Sequence, residues 1–137
     1  MPYAVCGGIA VTIHGHVRAT KDIDLVIRPE DRERALAVVA SLGFDRAALP
    51  MTFGAGTPTE RELQRVTKLE EGESLTIDFI IVGALYEEAW SQRETYEWEG
   101  TRMTVVSREG LLAMKRIAAR KQDLADIERL EGAPEDE

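Results

Sequence analysis

The sequence predicts an α+β domain: a mixed β-sheet with helices packed against it. Three observations carry this. Apolar runs rich in β-branched residues, bounded by glycine or proline, recur along the chain, and residues 22–28 and 75–82 are the longest. Between them lie stretches whose apolar residues repeat at helical spacing. At 137 residues the chain suits one domain with a real core and is too short for two.

Taken in order, residues 3–6 form a short apolar strand that runs into Gly7-Gly8, a tight turn. Residues 9–14 read as a short helix with Gly15 as its C-terminal cap. Residues 22–28 are the first long strand, ended by Pro29. Ala35, Leu36, Val38, Val39 and Leu42 make the apolar stripe of a helix over 30–42, which Gly43 ends. Pro50, Gly54, Gly56 and Pro58 mark 45–62 as loops, a candidate flap. Residues 65–69 and 75–82 form a hairpin through Glu70-Glu71-Gly72-Glu73. A short helix over 84–90 precedes strands at 95–99 and 102–106, placed around Gly100-Thr101. Ser107 caps a helix carrying Leu111, Leu112, Met114, Ile117 and Ala118. The last helix, 123–131, is expected to bury Leu124, Ile127 and Leu130. The domain is therefore 1–131, with 132–137 an acidic, frayed tail.

Composition narrows the function classes. A hydrophobic fraction of 44% and a charged fraction of 31% place the chain among ordinary soluble globular proteins. Seventeen basic against twenty-five acidic residues, a net charge of −8, argue against broad binding to duplex DNA, which needs a basic surface. A local basic pocket is still compatible with that charge. A lone cysteine, Cys6, forms no internal disulfide and fits a reducing cytoplasm. No apolar stretch approaches membrane-spanning length and no signal pattern opens the chain, so no membrane partner is expected.

Three aspartates stand out. Asp22 and Asp24 lie in Thr20-Lys21-Asp22-Ile23-Asp24-Leu25-Val26-Ile27, and Asp78 in Leu75-Thr76-Ile77-Asp78-Phe79-Ile80-Ile81-Val82. An ionised carboxylate in such surroundings is costly unless it is paired or holds a metal. Residues two apart share a face of a strand, which puts Asp22 and Asp24 about 7 Å apart at Cα. A neighbouring strand would bring Asp78 within about 5 Å, and three carboxylates so placed call for divalent cations between them. The competing reading leaves Asp22 and Asp24 at a solvated strand end and gives Asp78 a buried ion pair with an arginine such as Arg65.

Other candidates carry two readings each. Gly7-Gly8 lets backbone amides approach phosphates, or is a plain turn. Arg18, Thr20 and Lys21 contact phosphate oxygens, or form a solvated loop, the preferred reading for Lys21. His14 and His16 have no further His or Cys nearby to make a zinc site, so a histidine packed or hydrogen-bonded at a helix end is expected. Lys115 reaches toward phosphates, or is a surface lysine; Asp123 joins the site, or caps its own helix together with Asp126. Trp90, Tyr96 and Trp98 read as packing.

Gly7-Gly8, then Arg18-x-Thr20-x-Asp22-x-Asp24, then Asp78 in a later strand, together resemble the DNA polymerase β-like nucleotidyltransferases. The run Val105-Val106-Ser107-Arg108-Glu109-Gly110-Leu111-Leu112-Ala113-Met114-Lys115, followed by Arg120-Lys121-Gln122-Asp123-Leu124-Ala125-Asp126-Ile127, is similar to the closing motifs of their small AbiEii-like branch, which includes toxins of toxin–antitoxin systems. The resemblance implies transfer of a nucleoside monophosphate from an NTP to a hydroxyl of tRNA, protein or a small molecule. It implies two Mg²⁺ ions (or Mn²⁺) on Asp22, Asp24 and Asp78, with Asp78 also helping to deprotonate the acceptor. Gly7, Gly8, Arg18, Thr20, Lys115 and Asp123 would bind the nucleotide, Lys115 serving catalysis as well. Gly8 stands where many relatives carry serine. The helix that usually precedes the first strand, and a further C-terminal domain for the acceptor, are expected to be missing, so a partner protein or a homodimer would complete the surface. The alternative is a catalytically silent binding module or an antitoxin-like partner on the same fold.

Overall fold

The computed structural model describes residues 1–15, 22–98 and 100–132. The predicted tail falls outside these residues apart from Gly132, which closes the last helix.

One mixed eight-stranded sheet organises the chain. Its strands are β1 (Ala4–Cys6), β2 (Asp22–Ile27), β3 (Arg46–Ala47), β4 (Met51–Phe53), β5 (Arg61–Glu70), β6 (Glu73–Ile81), β7 (Glu94–Trp98) and β8 (Thr101–Val105). They run in the order β3-β5-β6-β2-β1-β8-β7, with β4 also paired to β5. The β2–β6 and β1–β8 pairs are parallel and the rest antiparallel. The five α-helices among the described residues are α1 (Gly7–Ile13), α2 (Arg32–Ala40), α3 (Glu87–Ser91), α4 (Arg108–Ala118) and α5 (Lys121–Gly132). The expected mixed sheet flanked by helices is thus the observed fold.

Strand alternation splits the core in two. Ile27, Val66, Ile77, Phe79 and Ile81 point to one face and pack with Ala35 and Val39 of α2. Cys6, Val26 and Val105 turn to the other, where Leu111, Leu112 and Met114 of α4 and Leu130 of α5 cover them. The functional candidates lie on that second face.

Several elements differ from the sequence expectation. The helix over 30–42 begins with a 3-10 turn, Pro29–Asp31, and its regular part buries only Ala35 and Val39. Val38 and Leu42 are exposed, because α2 lies against the sheet on a narrow stripe. The segment read as loop, 45–62, contains β3, β4 and the start of β5. β5 begins at Arg61 rather than near 65 because the polar Gln64 points inward, donating to the Ala48 carbonyl at 2.7 Å, and so breaks the visible alternation. In α5 the buried face is Asp123, Asp126, Ile127 and Leu130, and Leu124 is 55% exposed. The two buried aspartates turn that helix away from its purely apolar stripe.

Elsewhere the local chemistry follows the sequence. Gly15 adopts a positive φ just past α1, and Ser107 Oγ accepts from the Gly110 amide at 3.0 Å to cap α4. His14 Nε2 lies 2.8 Å from the Val106 carbonyl oxygen, and its ring meets that of Tyr96 edge-on. Trp90 is buried beneath Arg93 and Arg28. Trp90 and Tyr96 are thus packing residues, as expected, and the Trp98 side chain lies outside the described residues.

Candidate active site

Pairing register lines up four side chains across the sheet. Arg65 on β5 is opposite Asp78 on β6, Asp78 is opposite Asp24 on β2, and Asp24 is opposite Cys6 on β1. Directly opposed residues project on the same face, so the four side chains form one row. Asp22 shares that face two residues earlier, at the exposed start of β2 and opposite Thr76.

A cavity of about 310 Å³ opens over the Cys6, Asp24 and Asp78 part of the row. Its polar lining includes Asp24, Asp78, Arg61, Lys115, Arg120 and Asp123, and its apolar lining includes Phe53, Leu63, Ile80, Tyr86 and Met114. The volume is within the roughly 300–1,000 Å³ common for small-ligand sites.

Gly7 is shaped by this site. Its φ is +64°, and a Cβ placed on it would lie 2.0 Å from Asp24 Oδ2. The turn therefore needs glycine for its backbone and for the carboxylate that occupies the missing side chain's place. Gly8 is buried as the second residue of α1, and its carbonyl accepts from Thr12 Oγ1 at 3.2 Å. The helix begins at Gly7, two residues before the sequence suggested.

Asp24 is electrostatically crowded. Burial, then the charges of Asp78 and Asp22, push its pKa from 3.8 to about 6, although Lys115 and Arg120 pull the other way. Cys6 beside it has its thiol pushed well above the ordinary range, chiefly by burial and then by Asp24. Asp78 has a counter-ion. Arg65 Nε donates to Oδ1 at 2.7 Å and Nη2 to Oδ2 at 2.9 Å. The ion pair weighed against the metal reading is thus present in full. Among the described residues, no three His, Cys, Asp or Glu side chains are gathered closely enough to hold a metal ion.

The cationic side of the cavity comes from α4 and α5. Lys115 is 5% exposed, with Nζ 3.4 Å from Asp123 Oδ1 and 3.0 Å from Asp126 Oδ2. It is a buried lysine, not a surface one. Asp123 also accepts from the Arg120 amide at 3.1 Å and from Arg120 Nε at 2.7 Å. Burial works against its ionisation, yet Arg120, with help from Lys115, holds its carboxyl below the usual range. Asp123 is the third residue of α5 rather than its N-cap, accepting from the Arg120 amide while joining the ion cluster, and Asp126 pairs with Lys115 and accepts from Gln122 instead of completing a cap.

Sequence reasoning missed Arg120 and Asp126 as site residues, along with Cys6, Arg61, Phe53 and Tyr86 in the cavity wall. Arg120 and Asp126 stood within the closing motif and carried a signal. Phe53 and Arg61 carried none, since only the tertiary fold brings β4 and the start of β5 to the cavity. Arg18, Thr20, Lys21 and His16 lie outside the described residues.

Neither a protein-family model nor a curated protein matches the sequence. The architecture is similar to a nucleotidyltransferase fold. One solved structure that shows this is the solution structure of the antibiotic-resistance factor ANT(2'')-Ia, with TM-score 0.55 and 18% identity, over 94% of this chain and 72% of that one. No helix among the described residues is long and apolar enough to cross a membrane.

Proposed function

We propose that this chain transfers a nucleoside monophosphate from an NTP to an acceptor hydroxyl, with pyrophosphate as the second product. The observation that carries the reading is the Asp24–Asp78 pair at the base of a cavity facing Lys115 and Arg120, on a fold similar to a nucleotidyltransferase. The crowding on Asp24 tests the fit of a metal. Burial first, then the charges of Asp78 and Asp22, hold the Asp24 proton up to about 6, a crowding that a divalent cation would relieve, and Gly7 makes room for the Asp24 carboxylate where a side chain would otherwise stand. Asp24 and Asp78, joined by Asp22, would hold Mg²⁺ or Mn²⁺. When bound, the ions would neutralise charge on the phosphates and lower the barrier to attack by the hydroxyl.

The chain's own residues supply the rest. Lys115 and Arg120 would attract the triphosphate, Arg120 through guanidinium donors on its exposed side chain. Gly7 and Gly8, with Arg18 and Thr20, would shape the phosphate-side turn. The acceptor oxygen forms a bond to the α-phosphorus, the bond to the bridging oxygen breaks, and pyrophosphate departs. Asp78 would receive the hydroxyl proton on its carboxylate. Positioning and charge do the work, with no covalent enzyme intermediate.

The runs Val105 to Lys115 and Arg120 to Ile127 support the AbiEii-like branch and, with it, a toxin role in a cytoplasmic toxin–antitoxin pair. A partner chain or second copy would then present the acceptor. A second reading follows from Arg65, whose full occupation of Asp78 suits a silent nucleotidyltransferase-fold module. Incubating lysate with each α-labelled NTP separates them. We expect a labelled acceptor and free pyrophosphate, and about a hundredfold loss or more in Asp24→Ala and Asp78→Ala. Wild-type turnover in both variants refutes the assignment.

A further inference from the structure

Asp78 is the most buried of the three proposed metal ligands, and both its oxygens are engaged by one guanidinium. The partners are unequally anchored. The Asp78 side chain is 8% exposed and fixed to the inner face of β6, whereas the Arg65 side chain is 47% exposed. A long arginine stem with half its surface in water can swing away; the short carboxylate cannot. Of the other cations lining the cavity, Lys115 is held by Asp123 and Asp126, Arg120 by Asp123, and Arg61 lies over the Phe53 ring and donates to the Thr59 carbonyl.

We propose that Arg65 is an exchangeable counter-ion: it neutralises Asp78 in the metal-free protein and is displaced when a divalent cation binds. The inference rests on Asp24 and Asp78 being metal ligands and explains how that role and the observed ion pair coexist. Without Arg65, two carboxylates in register on adjacent strands would face each other in the metal-free state. With it, an entering cation must first break two charge-assisted hydrogen bonds. Free metal therefore binds weakly, and a metal that arrives with phosphate ligands attached has the advantage.

Electron paramagnetic resonance of free Mn²⁺ tests this directly. Arg65→Gln should bind Mn²⁺ about tenfold more tightly than wild type, or more, with Arg65→Lys in between. In the wild-type protein the Arg65 Nε–H resonance should lose its hydrogen-bonded shift as Mg²⁺ saturates the site, a readout that holds even if Arg65→Gln does not fold. Equal or weaker Mn²⁺ affinity in a folded Arg65→Gln, or an Nε–H resonance unmoved by bound Mg²⁺, overturns the counter-ion role and leaves the metal site standing. Failure of both proteins to bind Mn²⁺ removes the metal site as well.

Discussion

Replacing Asp24 with asparagine should stabilise the metal-free protein at neutral pH. Asp24 sits half-buried beside Asp78 and Asp22, and burial first, then those two charges, move its pKa from 3.8 to about 6. In the unfolded chain it titrates near the ordinary value. The folded protein thus binds its proton more readily than the unfolded one across that window. Whatever stability the neutral carboxyl allows is complete below about 3.8 and is lost as pH rises through about 6. At about 1.4 kcal/mol for each pH unit, the gap corresponds to about 3 kcal/mol, an order of magnitude rather than a fine value. Asparagine keeps the shape beside Gly7 and removes the charge. Urea denaturation in EDTA should give Asp24→Asn a gain of about 2–3 kcal/mol over wild type at pH 7.5, shrinking toward zero at pH 4. Saturating Mg²⁺ should close the neutral-pH gap by stabilising wild type alone. An Asp24→Asn variant no more stable than wild type at pH 7.5 in EDTA refutes the idea that this carboxylate is held at a cost.

Two further substitutions probe the surrounding frame. Gly7→Ala forces a Cβ toward Asp24 Oδ2 at a backbone φ of +64°, so it should lose about 1–3 kcal/mol from the backbone alone and weaken Mn²⁺ binding; denaturation midpoints and Mn²⁺ titration read both. Lys115→Met leaves Asp123 and Asp126 buried without their shared cation, and urea denaturation should show a loss of about 3–5 kcal/mol. Adding Asp123→Asn and Asp126→Asn to Lys115→Met should recover most of that loss in the same assay.

Much of the site's frame was legible because its strands are strongly patterned. Ile23, Leu25, Val26 and Ile27 around Asp24, and Ile77, Phe79, Ile80 and Ile81 around Asp78, leave little choice but adjacent buried strands, and they pair in register. The helix start at Ser107 was legible for the same reason: a hydroxyl cap followed by an apolar stripe. Legibility failed where polarity turned inward. Gln64 faces the core and hid the first half of β5; Asp123 and Asp126 face Lys115 and shifted the buried face of α5 away from Leu124. β3 and β4 span two and three residues, too short for periodicity to mark. Arg65 was foreseeable only as the competing partner of Asp78. The geometry gives it two hydrogen bonds to that carboxylate, which spacing along the chain does not encode.

The central claim is that Asp24 and Asp78 form the floor of a metal–nucleotide site. Calorimetric titration with non-cleavable analogues of ATP, GTP, CTP and UTP, in Mg²⁺ and then in EDTA, addresses it most directly. The account predicts binding of at least one analogue that requires Mg²⁺ and is lost in Asp24→Ala. Binding of none of the four, or binding indifferent to EDTA and to Asp24→Ala, contradicts it.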